Sequence, residues 1–156
     1  MGRRVFISYQ HNDVQQAKGF NLLRWNKYVD FDFVGRHLLS PADSRDPAYV
    51  RSKIREQLNG TSATVVLIGE QTAQSEWVDF EIRESLARGN GVIGIRLPGA
   101  ENADLPTALE EGGCKVIDWD HTKFEDEIER ACLIAGRPEL EAPPPRYARS
   151  SSCIRH

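Results

Sequence analysis

Residues 62–68 read SATVVLI, a nearly continuous apolar run that is rich in β-branched side chains. Such a run is typical of a strand covered on both faces, as in a parallel sheet. Similar short runs occur at residues 4–9, 28–34, 91–97 and 115–119. Segments with apolar residues at helical spacing separate most of them. The sequence therefore predicts an α/β fold, a flavodoxin-like three-layer sandwich around a five-stranded, mostly parallel sheet.

The predicted helix at residues 47–58 has clear signals at both ends. Pro47 suits the first turn of a helix, and either Asp46 or Ser44 can cap it. An Asn-Gly pair closes the helix. Its apolar positions recur at helical spacing, at Val50, Ile54 and Leu58.

Three more helices are expected on the same grounds. Two of them cover residues 13–25 and residues 121–135. The third begins at Ser75, which is its expected N-cap. Its apolar stripe consists of Val78, Ile82 and Leu86.

Length and composition favour one soluble domain. The 156 residues suffice for one core of ordinary size, and hydrophobic residues make up 40% of the chain. We expect a domain over residues 1–137 and a flexible, Pro/Ser-rich tail over residues 138–156. No apolar run approaches the ~20 residues of a membrane span. We therefore expect no membrane partner. The three cysteines form no CxxC pair and cannot all be paired with one another, so we expect a reducing, cytoplasmic location.

Several common site chemistries lack their sequence patterns. Lysines and arginines are scattered and the formal net charge is −3, which disfavours nucleic acid as a partner. The loop after the first strand, YQHND, contains no glycine-rich phosphate motif. No His or Cys pair has metal-ligand spacing, and no GxSxG nucleophile elbow is present. We therefore expect neither a metal site nor a resident cofactor.

The loops after the first three strands should meet at one edge of the sheet, where ligands of such folds bind. Glu81 lies near this edge, four residues after Trp77 on the predicted helix. It could be a carboxylate held beside an indole, in surroundings that exclude water. Periodicity alone favours a solvated glutamate instead, because glutamates commonly flank the apolar stripes of helices.

Two segments and the order of the elements resemble a known family. The segments are RVFISY, residues 4–9, and VVLIGEQTAQSEWVDFEI, residues 65–82. Together they resemble the TIR-like family that includes the Thoeris B proteins of bacterial antiphage defence. The resemblance extends from Arg4 to the last predicted helix, and residues 65–82 are its more specific part.

The resemblance implies an enzyme whose substrate, not cofactor, is NAD⁺. Members cleave the nicotinamide glycosidic bond, and Thoeris B members turn the ribosyl cation into a cyclic ADP-ribose isomer or a related signal that activates an effector protein. The family's catalytic glutamate follows a tryptophan on the helix after the third strand, which implies Glu81. One carboxylate can suffice, because nicotinamide leaves from a cationic ring and the positive centre on the ribose needs electrostatic stabilisation.

Seven further residues are candidates for substrate binding at the same edge: Ser8, Tyr9, His11, Asp32, Thr72, Ser75 and Trp77. The two aromatic rings could pack against nicotinamide or ribose, and the hydroxyl and imidazole groups could donate hydrogen bonds. Asp32 could reach the adenosine side. Structural alternatives stay open for all of them: core packing for the aromatic residues, capping or loop solvation for the polar ones, and exposure on an alternating strand for Asp32.

Two other interpretations of the whole chain stay open. A non-catalytic TIR-like module would assemble through its surface loops, and a nucleoside deoxyribosyltransferase-like enzyme would use a glutamate at the glycosidic bond of deoxynucleosides. The family also implies self-assembly, in which the loop after the second strand commonly takes part, and activation by a phage component.

Overall fold

A parallel sheet forms the centre of the structure, a computed structural model that describes residues 3–21, 31–35 and 46–136. Its strands are β1 (Arg3–Ser8), β2 (Phe31–Gly35), β3 (Ala63–Ile68), β4 (Gly91–Arg96) and β5 (Lys115–Asp118). They lie in the order β2-β1-β3-β4-β5, and every pairing is parallel. The predicted flavodoxin-like fold is confirmed, and the sheet is parallel throughout.

The helices within the described residues are α1 (Val14–Asn21), α2 (Pro47–Leu58), α3 (Glu76–Ala87), α4 (Thr107–Glu111) and α5 (His121–Gly136). A 3-10 turn, His11–Asp13, precedes α1. The short α4 was not predicted, because its five residues are too few to show a helical period. Residues 22–30, where the first predicted helix ends, and the predicted tail lie outside the described residues. In the described ranges, no helix is both long and apolar enough to cross a membrane.

The ends of α2 follow the sequence signals closely. The Asp46 carboxylate accepts hydrogen bonds from the backbone N–H groups of Ala48 and Tyr49, at 3.1 and 3.4 Å, and Pro47 opens the helix. Its three predicted apolar positions are at most 1% exposed. Local capping and periodicity are therefore enough to place this helix against the sheet.

Helices cover both faces of the sheet, which puts successive strand residues into different cores. One core joins Val65 of β3 to Phe124 of α5. The opposite core joins Val66 of β3 to Val78 of α3. Phe6 of β1 packs on the face of the sheet that α2 and α3 cover. Side chains alternate along a strand, so Ser8, two residues later, lies on the same face.

The strand order reverses between β1 and β3, because the chain leaves β1 for β2 on one side and returns to β3 on the other. In sheets of this kind, the crevice beyond the carboxyl ends of those two strands is the usual ligand site. Ser8, the last residue of β1, lies at this edge.

Candidate active site

Glu81 is completely buried, with 0% of its surface exposed. The buried face of α3 consists of Val78, Glu81, Ile82 and Ser85, an i, i+3, i+4, i+7 pattern. Leu86, which the sequence placed in the stripe, is only partly buried. The buried face is thus rotated towards Glu81, and the solvated interpretation of this glutamate is wrong.

A hydrogen bond joins Glu81 to the end of the central strand β1. The Ser8 hydroxyl donates to Oε1 of Glu81, and both side chains are fully buried. Burying a carboxylate is costly unless it is hydrogen-bonded, and such a bond is stronger in a low-dielectric interior. The structure therefore brings together two of the predicted site residues, which are 73 positions apart in the sequence.

Two buried hydroxyls that the sequence analysis missed continue this contact along α3. The Ser85 hydroxyl donates to the backbone carbonyl oxygen of Glu81 at 2.7 Å. It also lies 2.6 Å from Oγ1 of Thr64 on β3. The spacing of Glu81 and Ser85, one helical turn apart beside Val78 and Ile82, was the signal that could have revealed Ser85.

Ser75 and Thr72 use their hydroxyls to shape the chain before α3. Ser75 caps the helix, since its Oγ accepts a hydrogen bond from the N–H of Val78 at 3.2 Å. Thr72 is fully buried, and its Oγ1 accepts from the N–H of Gly69 at 2.7 Å. These contacts fix the loop between β3 and α3.

Asp13 connects that loop to the one after β1. Oγ1 of Thr72 lies 3.4 Å from Oδ2 of Asp13, within reach of a long hydrogen bond. A Cβ atom on Gly69 would lie 2.8 Å from the Asp13 carboxyl carbon, so a larger residue at this position would push the carboxyl group of Asp13 aside. Burial raises the pKa of Asp13, the Thr72 hydrogen bond lowers it, and the nearby charge of Glu70 raises it again.

The two aromatic candidates lie in cores on opposite sides of the sheet. Trp77 is partly buried against the cluster that contains Phe6 and Ile54, and its ring meets that of Phe80 edge to face at a centroid distance of 6.0 Å. Tyr9 is 5% exposed and belongs to the core beneath α1 and α5. Both rings therefore take part in packing the domain.

Of the two remaining candidates, the structure places only the backbone. His11 begins the 3-10 turn after β1, at the carboxyl edge of the sheet. Asp32 pairs in register with Arg4, four residues before Ser8 on β1. At about 3.3 Å per residue, this places Asp32 roughly 13 Å from the edge that carries Ser8.

A polar cleft of about 280 Å³ opens at the same edge, between the loops that follow β1, β3 and β4. Most of its polar lining consists of Gln10, Asn12, Asp13, Gln16, Glu70 and Gln71. Ser8 and Glu81 do not line it, so the cleft lies beside the buried carboxylate and not over it. Within the described ranges, no group of three or more His, Cys, Asp or Glu residues could hold a metal ion.

Comparison with solved structures defines the fold. The crystal structure of the IL-17 receptor B SEFIR domain matches with a TM-score of 0.56, and the match covers 83% of this chain and 96% of that one. At 14% sequence identity this likeness concerns the fold alone. The chain is thus a flavodoxin-like α/β domain with a SEFIR-like arrangement of its elements.

Sequence comparison gives the family. The family model described as "Thoeris protein ThsB, TIR-like domain" matches residues 6–102, more than half of the chain, so the chain belongs to this family. A curated relative from Bacillus cereus (strain MSX-D12), named "Putative cyclic ADP-D-ribose synthase ThsB1", is 34% identical over 102 residues. That match covers 62% of this chain and 53% of the relative, so the chain spans about half the length of the protein it matches.

Proposed function

We propose that this protein is a TIR-like enzyme of antiphage defence that cleaves NAD⁺ at the nicotinamide glycosidic bond. Its product is a cyclic ADP-ribose-type or related ADP-ribose-derived signal that activates an effector protein. Family membership and the name of the Bacillus cereus relative support this proposal. The observation that carries it is the hydrogen bond that Ser8 donates to the Glu81 carboxylate at the carboxyl edge of the sheet.

In the proposed reaction, Glu81 stabilises positive charge. The bond from the ribose anomeric carbon to the nicotinamide nitrogen breaks, and its electron pair neutralises the pyridinium ring. The ribose is left as an oxocarbenium-like centre, which a carboxylate in a low-dielectric site stabilises far better than one in water. Ser8 orients that carboxylate by donating to Oε1. A nucleophile from the same ADP-ribose unit, or from another molecule, then completes the signal if water is excluded.

The test compares the wild-type chain with Glu81→Gln in cells, with and without phage challenge, by mass spectrometry of nicotinamide and ADP-ribose derivatives. Glutamine keeps the shape of the side chain and an acceptor for Ser8 but removes the charge. Glu84→Gln is the matched control, because Glu84 lies on the same helix but forms an ion pair with Arg55 near the surface. We expect an ADP-ribose-derived product from wild type and Glu84→Gln, and none from Glu81→Gln. Equal product formation by Glu81→Gln would refute the proposal.

A second candidate is a non-catalytic TIR-like assembly module, and the complete burial of Glu81 favours it. In the conformation described, no part of this side chain is open to solvent. A substrate would have to displace a covering group, whereas a structural glutamate needs no access. This candidate predicts self-association or partner binding with no nicotinamide release, even during phage challenge.

A further inference from the structure

We infer that Thr64 and Ser85 are positioning residues that hold the Glu81 carboxylate in its reactive place by fixing α3 on the sheet. The inference rests on the proposed function, in which Glu81 stabilises the ribosyl cation. Neither hydroxyl touches the Glu81 carboxylate in the bonds described. They act through the backbone of α3 and through the strand next to β1.

The hydrogen bonds form a directed chain from β3 to Glu81. The single Ser85 hydroxyl proton goes to the carbonyl oxygen of Glu81, 2.7 Å away. Thr64 must then supply the proton for its 2.6 Å contact with Ser85. All three residues are 0% exposed, so water cannot substitute for a missing partner without entering the core.

Two hydrogen bonds attach α3 to the sheet, Ser8 with Glu81 and Thr64 with Ser85. The distance between them along the helix matches the distance between them along the strands. Glu81 and Ser85 are four residues apart, which is about 6 Å along an α-helix. Thr64 pairs with Phe6, so Ser8 lies two residues beyond it towards the carboxyl edge, about 6.6 Å along the strands. One position of α3 therefore satisfies both contacts at once, Ser8 with Glu81 and Thr64 with Ser85.

Apolar side chains make up a large part of the same interface between the described residues of α3 and β3. Val66 and Ile68 of β3 meet Val78 and Ile82 of α3 in one hydrophobic cluster. Such contacts stabilise the helix on the sheet but vary smoothly as it slides or rotates. A hydrogen bond weakens steeply once its angle is lost, so the Ser8–Glu81 and Thr64–Ser85 contacts together select one position.

The test replaces Thr64 with valine, which has nearly the same shape and suits a strand but cannot donate a hydrogen bond. Under conditions in which wild type releases nicotinamide, we expect kcat of Thr64→Val to fall about tenfold to a hundredfold, with KM changed less than about twofold. Thr64→Ser keeps the hydroxyl and should restore kcat. The matched control is Thr61→Val, because Thr61 donates to the carbonyl of Leu58 at 2.6 Å, away from Glu81.

A spectroscopic measurement gives a second readout that does not depend on turnover. In protein with ¹³C-labelled glutamate, the Glu81 carboxyl carbon resonance is assigned by its loss in Glu81→Gln. It should move in Thr64→Val and stay in place in Thr64→Ser and Thr61→Val. An unmoved resonance with wild-type kcat in Thr64→Val would overturn the inference, as would equal losses of kcat in Thr64→Val and Thr61→Val. If Glu81→Gln is itself fully active, the proposed function has failed, which is a different outcome.

Discussion

Two carboxyl groups near the carboxyl edge of the sheet have different surroundings. Glu81 lies wholly inside the domain and accepts a hydrogen bond from Ser8. Asp13 is partly buried, beside Gly69 and near the charge of Glu70. Burial raises its pKa, so the folded protein binds a proton there more tightly than the unfolded chain does. At neutral pH this ionised carboxylate therefore opposes folding.

Replacing Asp13 with asparagine should raise the melting temperature at neutral pH. The unfolded chain loses its proton near the ordinary pKa of 3.8, and the folded protein does so at a higher pH. The free energy by which the Asp13 charge destabilises the folded protein grows as pH rises from the first pKa to the second and is constant above both. Thermal unfolding followed by circular dichroism, from neutral pH down to about pH 3, should show a gain for Asp13→Asn that shrinks on acidification.

Asp120 provides a control with the opposite sign. Hydrogen bonds from the side chain and backbone of Thr122 lower its pKa below 3.8, so its charge favours the folded state. Asp120→Asn should lower the melting temperature at neutral pH, and the loss should disappear as pH falls through the lowered pKa. A gain in Asp13→Asn that persists unchanged in acid would contradict the assignment to the Asp13 charge.

At the level of elements, α5 packs on β4 with almost no space between their backbones. A Cβ atom on Gly91, at the start of β4, would lie 2.5 Å from the backbone nitrogen of Cys132 and 2.6 Å from the carbonyl carbon of Ala131. Both contacts are with backbone, which cannot move aside as a flexible side chain can. Glycine at this position therefore sets the distance between helix and strand.

Gly91→Ala should destabilise the domain by about 1–3 kcal/mol, because α5 must shift away from β4. Gly19→Ala is the control, since Gly19 lies within α1 and a Cβ there would meet nothing within 4 Å. That change should stabilise the protein by up to about 1 kcal/mol through helix propensity. Urea denaturation measures both, and a Gly91→Ala variant as stable as wild type would show that α5 tolerates the displacement.

Across the whole molecule, one sheet is shared by the cores on its two faces. Trp119 packs edge to face on Phe124 on the α5 side, at a centroid distance of 5.3 Å. Trp77 packs on the α2 and α3 side. Successive residues of β3 enter different cores, so neither core can be lost without the strand that the other one needs.

The two faces should therefore unfold together. The test starts from a Trp25→Phe background, in which the tryptophan outside the described residues is removed. Adding Trp77→Phe leaves Trp119 as the reporter for the α5 side, and adding Trp119→Phe instead leaves Trp77 as the reporter for the α2 and α3 side. The two variants should each show one transition in urea, at which tryptophan fluorescence and circular dichroism share a midpoint. Different midpoints for the two probes within either variant would show that the faces unfold separately.

Much of the fold follows from local sequence. Apolar runs separated by segments of helical periodicity predicted the five strands that the structure contains. Asp46, Pro47 and Ser75 predicted the starts of α2 and α3. These features depend on backbone preferences and on neighbours within one or two turns, so they can be read without knowing the partners. The short α4 was missed because it has no such period.

The α/β class, the family resemblance and the candidate catalytic residue Glu81 could be predicted from the sequence alone. The burial of Glu81, its hydrogen bond from Ser8 and the contacts of Thr64 and Ser85 depend on the packing of α3 on the sheet. Tertiary structure also put the rings of Trp77 and Tyr9 into opposite cores. The reason is physical: helical spacing says which residues share a face, but the rotation of that face depends on side chains from strands far away in the sequence.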